Sequence, residues 1–310
     1  MAVAAALTTV VLWASAFVGI RAAAEDLSPG ALTLGRLLVA ALALGAIAAY
    51  RRERLPARSD LWRIALYGLL WFGAYSVLLN AGEQRVDAGT AAMLVNVAPV
   101  LIALLAGWLL REGFPRALIV GCGVAFAGAI LIGVATRGRS VDAGWGAVLC
   151  VAAAIAYSIA VVIQKPLLER ASGLQITFLA CLAGLVASLP FAPQLINEVG
   201  DASGKAIGWT IYLGIFPTAV GFTTWAYALK RTSAGRMGAT TYLVPPLAVL
   251  LGWAILDESP PGLAFAGGAL CLVGVALTRA AFVTTLSEAW KGSRFRTARA
   301  AAATRTSSPQ

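Results

Sequence analysis

Asn96 and Tyr242 each stand three residues before a proline, Pro99 and Pro245, and both groups fall near the middle of long apolar runs. A proline inside a helix removes one backbone hydrogen bond and clashes with the preceding turn. Here that frees the carbonyls of Val95, Thr241 and, because Pro246 follows Pro245, Tyr242. In hydrocarbon such carbonyls need a partner or a wet cavity. The chemistry on offer is therefore polar recognition beside a bend, with Pro99, Pro245 and Pro246 as candidate hinges. Arg36 is the one charge placed inside an apolar run. Its planar guanidinium suits a carboxylate, although from two turns inside the run it also has the reach to snorkel outward.

Four aromatic residues, Trp13, Trp71, Tyr75 and Tyr157, also fall near mid-run, and Trp71 and Tyr75 share a helix face at a spacing of four. They are either plain core or the wall of a cavity for a flat or apolar group, with ring faces that attract a cationic amine. Thr241 adds a hydroxyl, which in a helix often bonds the preceding turn instead. Substrate-contact candidates are thus Trp13, Arg36, Trp71, Tyr75, Asn96, Tyr157, Thr241 and Tyr242.

Other chemistry is missing. The chain has no His, and none of its 14 Asp and Glu lies deep in an apolar run. Intramembrane proteolysis needs Ser/His pairs, paired aspartates or a zinc motif, so an enzyme is not expected. The four cysteines (Cys122, Cys150, Cys181 and Cys271) lie inside apolar runs without metal-ligand spacing and read as packing residues. No cofactor or metal is implied. Proton-coupled pumps place a titratable group along their pathway, so carboxylate-driven proton antiport is not expected either.

The elements that must position these residues are membrane spans. The sequence is 60% hydrophobic and 12% charged, about half the charge of a soluble domain. Ten apolar runs stand out: about 2–22, 29–50, 61–82, 87–110, 114–136, 143–165, 172–191, 206–229, 234–256 and 262–284. Ala14-Ser15-Ala16 mimics a signal-peptidase site, but no Lys or Arg precedes Arg21, so the first run is expected to be a retained helix. With the N-terminus inside, 18 of the 24 Lys and Arg fall on the inner side and five on the outer side, which predicts cytoplasmic termini. That asymmetry also accounts for the net charge of +10 without nucleic acid. Trp62, Trp108, Trp145, Trp209 and Trp253 fall near run ends, as an interfacial belt would. A basic tail, residues 285–310, follows the last run and either lies on the anionic leaflet or is loose in solvent.

The chain also repeats itself. Shifted by 146 residues, 88–134 overlays 234–280 without a gap: Ala88-Gly89 meets Ala234-Gly235, Pro99 meets Pro245, and Glu112 meets Glu258. Pro115 then meets Pro261, Gly121 meets Gly267, and Gly128 meets Gly274. A unit of five spans is odd-numbered, so its second copy enters the membrane from the opposite side. The expected architecture is an all-α integral membrane protein of ten transmembrane helices in two inverted five-helix repeats, 1–138 and 139–284. That is a transporter's arrangement.

Trp13 in a short first helix, Arg36 early in the second, and a twice-given closing unit with Pro, Glu and a spaced Gly pair resemble the drug/metabolite transporter superfamily. More narrowly they resemble its ten-helix EamA-type members, which include bacterial amino-acid exporters. The resemblance covers about 2–284. It implies a central cavity lined by the first, third, fourth, sixth, eighth and ninth helices, with the fifth and tenth pairing the halves. The small multidrug members rely on a glutamate in the first helix, and this chain has none there.

The expectation is an alternating-access exporter of small amino-acid-like metabolites in a bacterial inner membrane, facilitative or exchanging, with a small-molecule substrate and the lipid bilayer as its partners and a monomer as a plausible state. Efflux of cationic amphiphilic drugs would want a membrane carboxylate, and export of sugar or nucleoside metabolites several cavity cations. A receptor or scaffold is the reading outside transport.

Overall fold

The computed structural model describes residues 1–85, 91, 94–135, 143–256, 262–263 and 265–277. The tail, Ala88-Gly89, Glu258 and Pro261 lie outside the described residues, and with them three of the repeat pairings. Among the described residues every regular element is helical. In hydrocarbon this follows from the need to satisfy every backbone group within the segment.

Among the described residues, seven helices are long and apolar enough to cross a membrane: α1 (Ala2–Ala23), α2 (Pro29–Tyr50), α3 (Arg58–Glu83), α6 (Ala143–Arg170), α7 (Gly173–Val199), α8 (Gly204–Leu229) and α9 (Ala234–Ile255). Three shorter apolar helices, α4 (Ala98–Leu109), α5 (Arg116–Ala135) and α10 (Phe265–Leu277), complete the described bundle. The connections are tight because serines end them. Ser28, Ser172, Ser203 and Ser233 cap α2, α7, α8 and α9, each accepting from the backbone N–H three residues on.

Two of the long helices change pitch near their middles. Leu69–Tyr75 in α3 and Gly214–Val220 in α8 are π-helical, a wider turn that recurs at functional sites. In α8 the cause is visible. Pro217 cannot bond the Leu213 carbonyl, and the Thr218 hydroxyl takes that carbonyl instead at 2.7 Å. The prolines flagged as hinges behave differently from a mid-helix kink. The helix breaks just before them, in a turn at Asn96–Val97 and a 3₁₀ turn at Thr241–Leu243. Pro99 and Pro245 then fall at the second residue of the helical stretch that follows, where no helical N–H is lost.

Helices α5 and α10 meet through glycines. A methyl group on Gly128 would stand 2.5 Å from the Gly267 carbonyl oxygen, and one on Gly274 would stand 2.6 Å from the Gly121 carbonyl oxygen. The contact reads alike from either helix, and small residues of this kind let helix backbones approach in lipid. Trp62, Trp108, Trp145 and Trp253 are exposed at the bundle surface, while Trp209 is partly buried beside Gly19.

Candidate functional site

The N-terminal end of the bundle is tied shut by charge. The Lys165 ammonium donates to the carbonyls of Leu229 and Thr232 at 2.8 and 2.7 Å, holding the C-terminus of α8. The Glu112 carboxylate accepts from the N–H groups of Ala234 and Gly235 at 2.8 and 3.2 Å, capping the N-terminus of α9. Buried Asp60 at the start of α3 pairs with Arg170 at the end of α6, 3.1 Å apart.

Above these ties lies an aromatic layer. Gln164 is fully buried and bridges it, donating to the Tyr67 hydroxyl and accepting from the Trp225 indole, both at 3.0 Å. Trp225 stacks on Trp13 with ring centroids 4.9 Å apart, and Trp71 packs edge-on against both. Phe222 packs against Trp13 and Trp71. Such pairs add directional preference to the burial of large apolar surface. Trp13 is fixed at a third point, since its indole N–H donates to the Pro217 carbonyl of the α8 π-turn at 3.3 Å.

This layer floors a cavity of about 60 Å³. Seven of the eight sequence candidates line it: Trp13, Arg36, Trp71, Tyr75, Asn96, Tyr157 and Thr241. Leu79, Val95, Pro217, Phe222 and Val244 are among the apolar lining residues. Arg36 does not snorkel; it is 6% exposed, lines the cavity, and its buried Nε has no hydrogen-bond partner among the described residues. Asn96 is 5% exposed at the break before Pro99. Ser158 on α6 takes the Ala98 carbonyl at 3.2 Å, so the backbone at that break is satisfied partly from another helix.

Tyr242 departs from expectation. It does not line the cavity but packs with Leu118, Cys122, Ala125 and Cys271, against α5 and α10. The reason is rotational: in the 3₁₀ turn Thr241 faces the cavity and its neighbour faces away. The lining comes from α1, α3, the segment before α4, α6, α8 and α9, with α2 added through Arg36.

Sequence reasoning missed Pro217, Phe222 and Trp225. Pro217 was legible, because a proline flanked by apolar residues in mid-run signals a backbone break. It also missed Glu83. The third apolar run ends at about residue 82, which put this acid outside, yet the helix carries Glu83 as its last residue and both carboxylate oxygens are buried without a hydrogen-bond partner among the described residues.

Residues 1–134 and 144–280 match the EamA-like transporter family. A probable terminal-alkyne amino-acid exporter of Streptantibioticus cattleyicolor is 42% identical over 277 residues, covering 89% of this chain and 92% of that protein. An uncharacterized transporter of Bacillus subtilis is 33% identical, covering 86% and 87%. A probable amino-acid metabolite efflux pump of Salmonella typhimurium is 24% identical, covering 87% and 92%. One crystal structure, 20% identical, shares the fold with a TM-score of 0.71 over 89% of this chain and 95% of that one. With helices long enough to span a bilayer, a cavity at their centre and this match along most of its length, the chain is a multi-pass membrane transporter and belongs to the EamA-like transporter family.

Proposed function

We propose that the protein exports small amino-acid-like metabolites, aromatic and apolar ones included, across the bacterial cytoplasmic membrane by alternating access. The observation that carries this reading is the cavity: a wall of Trp13, Trp71, Tyr157 and Phe222 for an apolar side chain, facing Arg36, Asn96 and Thr241 for polar backbone groups. The exporters named among the relatives support the substrate class.

The chain is read as ten spans in two inverted halves with both termini cytoplasmic. Support comes from the double family match, the paired π-turns of α3 and α8, the paired breaks before Pro99 and Pro245, and the reciprocal glycine contact of α5 and α10. Export runs down the solute's own gradient or by exchange. Asn96 and Arg36 hold polar groups, and Pro99, Pro245 and Pro246 mark where the cavity helices bend.

Purified protein in liposomes tests this reading. Labelled phenylalanine should exchange several-fold faster than in empty liposomes and be insensitive to an imposed proton gradient. No flux for any amino acid would sink the substrate class, and several-fold stimulation by a proton gradient would sink the facilitative reading.

A further inference from the structure

A second space lies at the N-terminal end of the bundle, outside the central cavity. There the α2–α3 connection, the end of α6 with the connection to α7, and the residue after α8 enclose a cleft of about 510 Å³. That volume is within the roughly 300–1,000 Å³ of small-molecule sites. Arg51, Arg52 and Arg54 line the cleft from the first of these segments and Lys230 from the last. All four are exposed, and among the described residues no ion pair or hydrogen bond engages their side chains. Arg170 lines the cleft too, but Asp60 already holds it at 3.1 Å. Two acids in the wall, Glu53 and Glu169, leave the cations in excess.

The backbone gives an independent sign. Helix α2 closes with the Arg52 N–H on the Ala49 carbonyl at 3.1 Å and the Glu53 N–H on the Ala48 carbonyl at 3.0 Å, the paired bonds of a left-handed cap. The residue at the turn is Arg52, with φ 50°. Glycine is the usual choice there, because a Cβ crowds the neighbouring carbonyl. A strained arginine in a glycine's place points to work done by its side chain. Depth and chemistry then narrow the ligand. Leu55 in the cleft wall is exposed, and so are Tyr50 and Trp62 at the helix ends that the connection joins. Exposed aromatics at helix ends mark the level of lipid headgroups. Among the described residues no aromatic ring lines the cleft, so the base of a nucleotide would have nothing to stack on. Guanidinium groups suit phosphate, whose oxygens they take two at a time.

We infer that this cleft binds the phosphate of an anionic phospholipid headgroup, with Arg51, Arg52, Arg54 and Lys230 donating to its oxygens and Leu55 meeting its apolar part. The site is separate from the central cavity and does not depend on what the protein exports. A headgroup held there joins the α2–α3 connection to the ends of α6 and α8. Asp60 with Arg170, and Lys165 with the Leu229 carbonyl, already tie the same region. The lipid therefore stabilises the arrangement in which this end of the bundle is shut. The reading of this end as cytoplasmic sets the cleft against the anionic leaflet, although the binding itself needs only the geometry of the cleft.

Thermal melting of the full chain in a neutral detergent tests the inference, with phosphatidylglycerol, phosphatidylcholine and glycerol 3-phosphate as the probes. Phosphatidylglycerol should raise the melting temperature by several degrees, since a ligand of the folded state stabilises it, and phosphatidylcholine should leave it unchanged. Glycerol 3-phosphate offers the same phosphate without acyl chains and should act only at concentrations at least tenfold higher. Arg51→Gln with Arg54→Gln should weaken the apparent affinity for phosphatidylglycerol about tenfold. Arg63→Gln with Arg231→Gln removes as much charge from the same end, outside the cleft, and should leave that affinity within twofold of wild type. Arg52→Gly should melt higher than wild type without lipid, as its strain is relieved, and yet bind phosphatidylglycerol several-fold more weakly. If the Arg51 and Arg54 double variant fails to purify as a monodisperse species, Lys230→Gln takes its place, with a several-fold loss expected. Equal losses in the cleft and control variants would reduce the binding to a general attraction of the basic surface and overturn the site. So would a phosphatidylcholine response that matches phosphatidylglycerol, or an Arg52→Gly variant that binds as wild type does. A response to glycerol 3-phosphate at the concentrations that suffice for phosphatidylglycerol would assign the cleft to a soluble phosphate and overturn the lipid.

Discussion

Helices α3 and α8 share a backbone device and use it with opposite side chains. Carried back along the chain, the 146-residue shift places Trp71 opposite Pro217 and Tyr75 opposite Gly221, and the π-turns at Leu69–Tyr75 and Gly214–Val220 coincide to within one residue. In α3 the wide turn presents large rings to the cavity. In α8 it presents a carbonyl and a bare backbone, and Trp13 of α1 fills that room: its indole donates to the Pro217 carbonyl and would lie 3.1 Å from a methyl group on Gly221. The backbone bends are duplicated and the lining is not. One cavity needs one aromatic floor, and two copies of Trp71 and Tyr75 would have no space.

The largest effect should come from erasing that difference. Gly221→Leu puts a branched side chain where the Trp13 indole rests, and so drives the indole into the cavity. Flux should fall to the level of empty liposomes while the protein still inserts. Flux within threefold of wild type would mean that Trp13 has another place to go, and the complementarity of the two π-turns would not matter. Next in size is Trp71→Ala. Removing a fully buried ring that touches Trp13, Tyr157, Phe222 and Trp225 should cost about 3–5 kcal/mol of stability. It should show as a lowered melting temperature in detergent, with phenylalanine flux reduced about tenfold.

A pair of milder substitutions sharpens the comparison at the second set of breaks. Asn96 and Tyr242 are equivalent under the repeat, but only Asn96 faces the cavity. Asn96→Ala should lower flux several-fold with an unchanged melting temperature. Tyr242→Phe should leave flux at the wild-type level, and a drop like that of Asn96→Ala would place Tyr242 on the transport path after all.

This pair also shows what the sequence carries and what it does not. Apolar runs placed the long helices because spanning lipid fixes both length and composition, and aligned prolines placed the breaks at Asn96–Val97 and Thr241–Leu243. Seven lining residues were legible because aromatic, amide and guanidinium groups at mid-run depth have few other reasons to be there. Tyr242 was misplaced because a 3₁₀ turn rotates successive side chains by a different angle from an α-helix. The π-turn of α3 left no mark at all, since Leu69–Tyr75 contains no proline. Glu83 was missed because hydropathy locates the end of a run, whereas burial of a carboxylate depends on the neighbouring helices.

The smallest effects belong to the loop ties at the two ends. At the N-terminal end Asp60, opening α3, meets Arg170, closing α6, at 3.1 Å. At the other end Asp26, between α1 and α2, accepts hydrogen bonds from the backbone and hydroxyl of Ser203, which caps α8. Under the 146-residue shift these loops correspond, so each end has one tie between the same pair of loops. Their chemistry differs, as the π-turns do: one is an ion pair with a buried acid, the other a set of exposed hydrogen bonds. Asp60→Asn should cost about 1 kcal/mol or less, as partly exposed ion pairs do, and Asp26→Asn should lower the melting temperature by a smaller amount. The hydroxyl and N–H of Ser203 hold the Asp26 carboxyl below its ordinary value, with Lys205 adding to the shift. A depressed folded-state pKa contributes stability above the unfolded value, and that contribution is lost as pH falls through the folded one. The melting-temperature gap between wild type and Asp26→Asn should therefore be present near pH 7 and begin to narrow below about pH 4. A gap that does not narrow at all between pH 7 and pH 2 would mean Asp26 stabilises the loop without its charge. An Asp26→Asn effect larger than that of Asp60→Asn would reverse the order of the two ends and assign the stronger latch to the end that carries Asp26.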